Sequence, residues 1–366
     1  MSLPPLVEPG PPLSPDAALR GARNIALPAM GEVGQRRLRA ARVLVIGAGG
    51  LGSPVLQFLA GAGVGVIGIV DFDVVDATNL QRQVIHRTAD VGELKTVSAA
   101  RAIRDLDPTI ETIQFPVELT AENALELIGG FDLVADGSDN FATRYLASDA
   151  AAMLHTPYVW GSVLRMDGQV TVFWEGAPDG RSLDYRDLHP IPPAPDDVLS
   201  CSVGGVLGSV CGMIGSAMAT EIIKLITGVG EPLLGRVQNL DALSGTWRTF
   251  ELRRAPDREP VAALADYLAF CGVPEVPAEL EIDHIDPARE LIDVREPYER
   301  FGDRLAGDRS IPLGLLLNDP TLAGPGPVLL YCATGIRSAR AAAVLRDVGI
   351  DALSLRGGIE GLRAVA

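Results

Sequence analysis

The sequence predicts an α/β protein in two parts: a doubly wound domain built on a parallel sheet, then a smaller α/β domain. Three observations carry this. Apolar, strand-like runs alternate with helix-like stretches over residues 42–163. The first of those runs, Arg42-Val43-Leu44-Val45-Ile46, is followed at once by the glycine turn Gly47-Ala48-Gly49-Gly50-Leu51-Gly52. Beyond a boundary at Ala255-Pro256-Asp257-Arg258-Glu259-Pro260, strand-like and helix-like stretches alternate again.

The elements follow in order. Residues 1–19 are Pro-rich and have neither a basic n-region nor an apolar h-region, so they read as a flexible tail rather than a signal peptide. Strands are expected at 42–47, 65–71, 110–117, 131–136 and 157–163, with helices near 53–62, 94–106, 121–129 and 140–154; this is a Rossmann-like pattern. Residues 168–174 and 235–252 read as antiparallel additions, and 175–200, rich in Pro and Asp, as a long loop. The longest apolar stretch, 203–226, carries Glu221 and Lys224 and reads as a buried helix rather than a membrane span. Gly204, Gly208 and Gly212 on one face would let another backbone approach closely. The first domain is placed at 20–255, a linker with a short helix near 261–270 at 256–280, and the second domain at 281–366. That domain has strands at 291–295 and 327–331 and a helix at 339–348.

Composition narrows the function. The 366 residues are 47% hydrophobic and carry a net charge of −16. Such a charge disfavours nucleic acid or an anionic membrane as partner, since both need a basic surface. Four cysteines without a paired framework point to a reducing, cytoplasmic setting. Lys95 and Lys224 are the only lysines among 31 basic residues, which singles out Lys95.

The glycines allow a tight turn and close approach to a phosphate, and the helix behind them aims its N–H groups there. Asp71, ending the second strand, can accept from a ribose hydroxyl. Asn79-Leu80-Gln81-Arg82-Gln83 and Lys95 follow, and then Asp136-Gly137-Ser138-Asp139-Asn140. An NAD dehydrogenase has no use for such cations after the turn. An enzyme that cleaves ATP does, because charge accumulates on the transferring phosphates. Singly, Arg82 and Lys95 read as surface charges, Asp139-Asn140 as a helix N-cap and Asp71 as a turn residue; in this order they read as a site.

Near the other end, Tyr331-Cys332-Ala333-Thr334-Gly335-Ile336-Arg337-Ser338 joins a strand to a helix. Backbone N–H groups, the helix dipole and Arg337 would all lower the thiol pKa of Cys332. Tyrosine-phosphatase loops place Arg six positions after Cys, which here is Ser338; this loop places Arg337 five after it.

With these motifs in place, residues 1–255 resemble the ThiF-type activating enzymes, bacterial relatives of ubiquitin-activating enzymes, and the last part resembles a rhodanese domain. The combination resembles adenylyltransferase–sulfurtransferase fusions. The resemblance implies adenylation of the C-terminal Gly-Gly carboxylate of a ubiquitin-like sulfur carrier, with ATP and Mg²⁺. It implies that Gly47, Gly49, Gly50 and Gly52 lie at the nucleotide and that Asp71 holds the ribose. Asn79, Arg82, Gln83 and Lys95 would bind the phosphates. Asp139 would hold Mg²⁺ beside Asn140, and Arg23 would reach into the ATP site of the other subunit of a homodimer. Cys332 would carry a persulfide, charged from thiosulfate or a desulfurase, with Arg337 in its loop; Arg295 and Glu296 fit the strand-end motif. Cys201 matches a cysteine that in some relatives bonds to the carrier, and reads equally as a buried small hydrophobe. Cys211 and Cys271 read as structural.

The family's two Cys-x-x-Cys zinc pairs are replaced here by Ser182-Leu183-Asp184-Tyr185-Arg186-Asp187 and Arg254-Ala255-Pro256-Asp257-Arg258, with His189 alone nearby, so no zinc is expected. Two other functions fit the same residues: an activating enzyme with a vestigial second domain, and a nucleotide-sensing adaptor that docks the carrier without turnover.

Overall fold

Three buried apolar runs, β1 (Arg42–Ile46), β2 (Val66–Val70) and β4 (Leu133–Asp136), form the centre of a parallel sheet, with β3 (Glu111–Phe115) on one flank. The computed structural model describes residues 3–193, 205–271, 277–300 and 304–365. They fall in two compact units, 1–272 and 273–366.

In the first unit β5 (Tyr158–Leu164), β6 (Asp167–Phe173), β7 (Arg236–Asp241) and β8 (Thr246–Glu251) extend that sheet to eight strands, in the order β3-β2-β1-β4-β5-β6-β7-β8. It is parallel from β3 to β5 and antiparallel from there through β6, β7 and β8. The sequence reading places the first six strands within two residues at each end, and the stretch 235–252, read as one antiparallel addition, holds both β7 and β8. Short helices α1 (Pro15–Arg20) and α2 (Ala22–Ile25) precede α3 (Gly31–Ala40). The crossovers are α4 (Gly52–Ala62), α5 (Lys95–Leu106), α6 (Ala124–Gly129) and α7 (Phe141–Met153). Helix α4 ends on Gly63 in the left-handed region, and α7 begins on Asn140, whose side chain accepts from Thr143 N–H at 2.8 Å.

Residues 175–193, the described part of the expected 175–200 loop, are more structured than a loop. Trp174 bridges to Leu183, and a one-turn helix, α8 (Tyr185–Leu188), is capped by Asp184 and Asp187. Trp160, Tyr158, Phe173 and Tyr185 are buried here against one another. Each contributes on the order of 2 kcal/mol through burial.

Helix α9 (Gly208–Thr227) crosses this unit. By length and composition it could span a membrane, but Val210, Ile214, Met218, Ile222 and Ile226 are buried in the protein. Glu221, 3% exposed, is satisfied by Lys224 Nζ and Leu233 N–H at 2.6 and 2.7 Å. The glycine stripe needs correcting. Gly208 packs on the Gln81 carbonyl and Gly215 on Pro54, whereas Gly212 faces open space and Gly204 lies outside the described residues. A helix, α10, covers only Tyr267–Phe270 of the expected 261–270.

The strands of the second unit are β9 (Glu281–Ile282), β10 (Glu290–Asp293), β11 (Arg309–Ser310), β12 (Val328–Tyr331) and β13 (Ala352–Leu355). They form a parallel sheet of order β11-β10-β12-β13-β9. Helices α11 (Leu313–Asn318), α12 (Ile336–Asp347) and α13 (Gly358–Val365) complete it. Ile292, Val328, Leu330, Ala342 and Leu345 pack on one sheet face, and Leu329, Tyr331 and Leu355 on the other.

Candidate functional site

The carboxyl ends of β1, β2 and β4 open into one pocket. The chain leaves β1 through Gly47, whose φ of 84° is open to glycine, and enters α4 so tightly that a Cβ on Gly52 would lie 1.8 Å from the Gly47 carbonyl oxygen. The pocket brings together Gly47, Gly49, Gly50, Asp71, Arg82, Gln83, Lys95, Asp139 and Asn140, all expected from the sequence.

Asp71 is nearly buried. One of its oxygens accepts from Ala48 N–H at 2.8 Å and the other from Asp73 N–H at 2.9 Å. Burial raises its pKa, against the pull of Lys95. Each carboxylate oxygen keeps a second acceptor site. Lys95 opens α5, is 6% exposed and pairs with Asp73 at 2.7 Å. Gln83 is 4% exposed, and its Oε1 has no hydrogen-bond partner among the described residues. Asp139 and Asn140 line the mouth, where Asn140 is also the α7 cap.

Three expected residues are not in the lining. Gly52 sits behind the turn. The Asn79 side chain accepts from Asp76 N–H, while its carbonyl accepts from Arg82 and Gln83 N–H at 3.0 and 2.9 Å, so it shapes the turn that presents them. Arg23 is exposed on α2 and does not reach this chain's pocket. Cys201 lies outside the described residues.

The sequence reading missed Arg144. It lines the pocket one helical turn after Asn140, is 5% exposed, donates to the Ser138 carbonyl at 3.1 Å and lies over the Phe141 and Trp160 rings. Its spacing from Asn140 was the available signal. Cys211 also lines the pocket while being 1% exposed.

In the second unit, Cys332 follows β12 and is fully buried. Its Sγ accepts from Gly335 N–H at 3.1 Å and from the Ser338 hydroxyl at 3.6 Å. Arg337, whose charge is expected at this sulfur, also has an acidic partner. The guanidinium forms a two-pronged pair with Glu299 at 2.8 and 2.6 Å, so much of its charge is answered there. Arg295 is structural: it is 2% exposed and locked onto Asp293. Cys271 is buried, which pushes its thiol pKa up.

The residues at the family's zinc positions do not fit zinc. A guanidinium joins these two segments instead: Arg258, its side chain 6% exposed, donates to Asp187 at 2.8 Å, to Glu175 at 2.6 Å and to Asp184. Arg254 holds the other Glu175 oxygen at 2.8 Å, and Ala255 N–H donates to Asp187 at 3.0 Å. Burial raises the Asp184 pKa to about 6 despite Arg258. His189 is half-buried against Tyr185 and Trp160, and this desolvation, with the Arg144 charge nearby, lowers its pKa to about 4 and keeps it neutral. Removing the central cation leaves Asp184 and Asp187 buried without this cation and Glu175 with Arg254 alone, so Arg258→Met should lose about 3–5 kcal/mol in urea unfolding. Metal analysis of the purified wild type should find far less than one zinc per chain, and a stoichiometric content would overturn the ion-pair reading.

Residues 22–261 match the ThiF family and residues 275–364 the rhodanese-like domain. The chain is 49% identical to "Probable adenylyltransferase/sulfurtransferase MoeZ" of Mycobacterium tuberculosis, over 98% of this chain and 96% of that one. It is 46% identical to "Sulfur carrier protein adenylyltransferase" of Thermus thermophilus, over 69% of this chain and 95% of that one. It is likewise 46% identical to "Adenylyltransferase and sulfurtransferase MOCS3" of Mus musculus, over 73% and 60%. Among solved structures, Escherichia coli MccB with ATP superimposes with a TM-score of 0.54 at 20% identity, covering 62% of this chain and 68% of that one, a likeness of fold.

Proposed function

This chain belongs to the ThiF family and carries a rhodanese-like domain after it, and from that premise we propose that it adenylates the C-terminal carboxylate of a ubiquitin-like sulfur carrier and delivers sulfur to it from Cys332. The observation that carries the reading is the pocket: a glycine turn, a ribose-height carboxylate and the cations Arg82 and Lys95 face one cavity with Asp139 at its mouth.

The chemistry follows from charge. A carrier carboxylate oxygen attacks the α-phosphorus of ATP; the bond to the β-phosphate oxygen breaks and pyrophosphate leaves. Two anions must meet, so Arg82 and Lys95 offset the repulsion, and the glycine-turn N–H groups take phosphate oxygens. Asp71 fixes the ribose. Asp139 fits Mg²⁺, which binds through one or two carboxylates plus substrate phosphates and neutralises their charge. The terminal sulfur of a Cys332 persulfide then attacks the acyl carbon, and AMP leaves. The product is an acyl disulfide on Cys332. A thiol attacks the Cys332 sulfur, the carrier leaves as thiocarboxylate, and the disulfide left behind is reduced by an external thiol. Cys201 is our candidate for that thiol. Domain tethering raises the local concentration of persulfide at the adenylate.

Carrier-dependent ATP–pyrophosphate exchange tests the reading. A non-catalytic adaptor would give none, and a dehydrogenase would bind NAD instead.

We place Arg23 in the partner's site of a homodimer, which accounts for its exposure outside its own pocket. Mixing Arg23→Ala and Lys95→Ala chains should then restore about one quarter of the wild-type rate, because half of randomly formed dimers contain one intact site. No recovery in exchange assays of the mixture would mean that Arg23 acts within its own chain or has no role.

A further inference from the structure

One residue of the glycine turn is held on both sides, through the peptide before it and the peptide after it. Ala48 N–H donates to Asp71 at 2.8 Å, and the Ala48 carbonyl lies 3.0 Å from His86 Nε2. His86 is 6% exposed and follows the turn that presents Arg82 and Gln83. Its Nδ1 lies 2.8 Å from Ser98 Oγ on α5, and Ser98 Oγ lies 2.7 Å from Asp90. Asp90 is fixed in turn by Arg101 at 2.7 Å and by Arg87 N–H at 2.8 Å.

Proton counting determines which ring nitrogen donates. A carbonyl only accepts, so Nε2 must carry a proton. The single Ser98 hydroxyl proton goes either to Asp90 or to His86 Nδ1, and neither choice releases Nε2 from that role. Burial lowers the His86 pKa, which favours the neutral ring, and the neutral ring in this tautomer still donates to Ala48.

The bond matters because of what lies across the peptide. In a planar trans peptide the Ala48 carbonyl and the Gly49 N–H point in opposite directions. Gly49 lines the pocket, and its N–H has no protein acceptor among the described residues. Rotating this peptide would turn an oxygen toward the phosphates in place of a donor. Glycine at 49 makes the rotation easy, since it takes φ of either sign. We propose that His86 is a positioning residue that holds the Ala48–Gly49 peptide with its N–H toward the nucleotide phosphates. The assignment rests on the ATP reading above.

The test is direct binding to the full-length chain, with ATP and adenosine as paired probes. His86→Gln places an amide donor at the height of Nε2, while His86→Asn stops one bond short. H86N should weaken ATP binding at least about tenfold, as a charge-assisted hydrogen bond is lost and a carbonyl faces an anion. Adenosine affinity should be unchanged, and H86Q should hold ATP within about threefold of wild type. ATP affinity unchanged in H86N overturns the assignment. So does equal loss of ATP and adenosine, or H86Q as weak as H86N, since either marks a merely structural histidine. Wild-type protein that fails to bind ATP would instead overturn the adenylation reading itself.

Discussion

Lys95→Ala is expected to lower carrier-dependent ATP–pyrophosphate exchange at least about a hundredfold, because it removes a cation from the phosphates where charge develops. That loss corresponds to about 2.7 kcal/mol of transition-state stabilisation. The fold should survive. The partner left behind, Asp73, has a side chain 52% exposed, so its carboxylate stays hydrated when unpaired. The Lys95 side chain is itself 7% exposed, held at the N-terminus of α5 with its ammonium within 2.7 Å of Asp73. It is therefore fixed at the pocket before ATP arrives. Lys95→Arg should recover little, since a planar fork does not replace a point charge in that space. Exchange within a few-fold of wild type in Lys95→Ala, with unfolding unchanged, would remove Lys95 from catalysis.

The parallel core was legible because strands buried on both faces write themselves as continuous apolar runs, as in residues 43–46 and 133–135. The pocket was legible for a related reason. The carboxyl ends of such strands converge, so Gly47, Asp71 and Asp139, far apart in sequence, had to meet. What stayed hidden depends on partners set by tertiary packing. Arg258 reads as an ordinary surface arginine until Glu175, Asp184 and Asp187 close on it from more than seventy positions away. The absence of thiolates could be read from the sequence; the guanidinium in their place could not.

The same holds for Arg337. Its spacing from Cys332 identified the loop, but spacing says nothing of Glu299, 38 residues earlier, which takes the guanidinium. His86 carried no periodic or motif signal, because its role is to touch one carbonyl of a turn 38 residues before it. Where α8 forms inside the supposed loop, a local signal did exist: Asp184 and Asp187 stand at capping-box spacing.

Cys332→Ala should abolish both thiosulfate:cyanide sulfur transfer and thiocarboxylate formation while leaving carrier adenylation at wild-type rate. The sulfur is the nucleophile, so no residual path through this loop remains. Local structure gives the substitution little reason to spread. Ser338 keeps its bonds to the Gly335 carbonyl at 3.0 Å and to Ser354 at 2.8 Å, and Gly335 still caps α12. Arg337 stays on Glu299. The adenylation pocket belongs to the other compact unit, so ATP chemistry has no group at stake. Cys201→Ala should spare adenylation and persulfide loading and slow only the handover. After loading with a sulfur donor, mass spectrometry should place one added sulfur on Cys332. Sulfur found only on Cys201, or exchange lost in Cys332→Ala, would mean that the two chemistries are not divided between the units as their residues indicate.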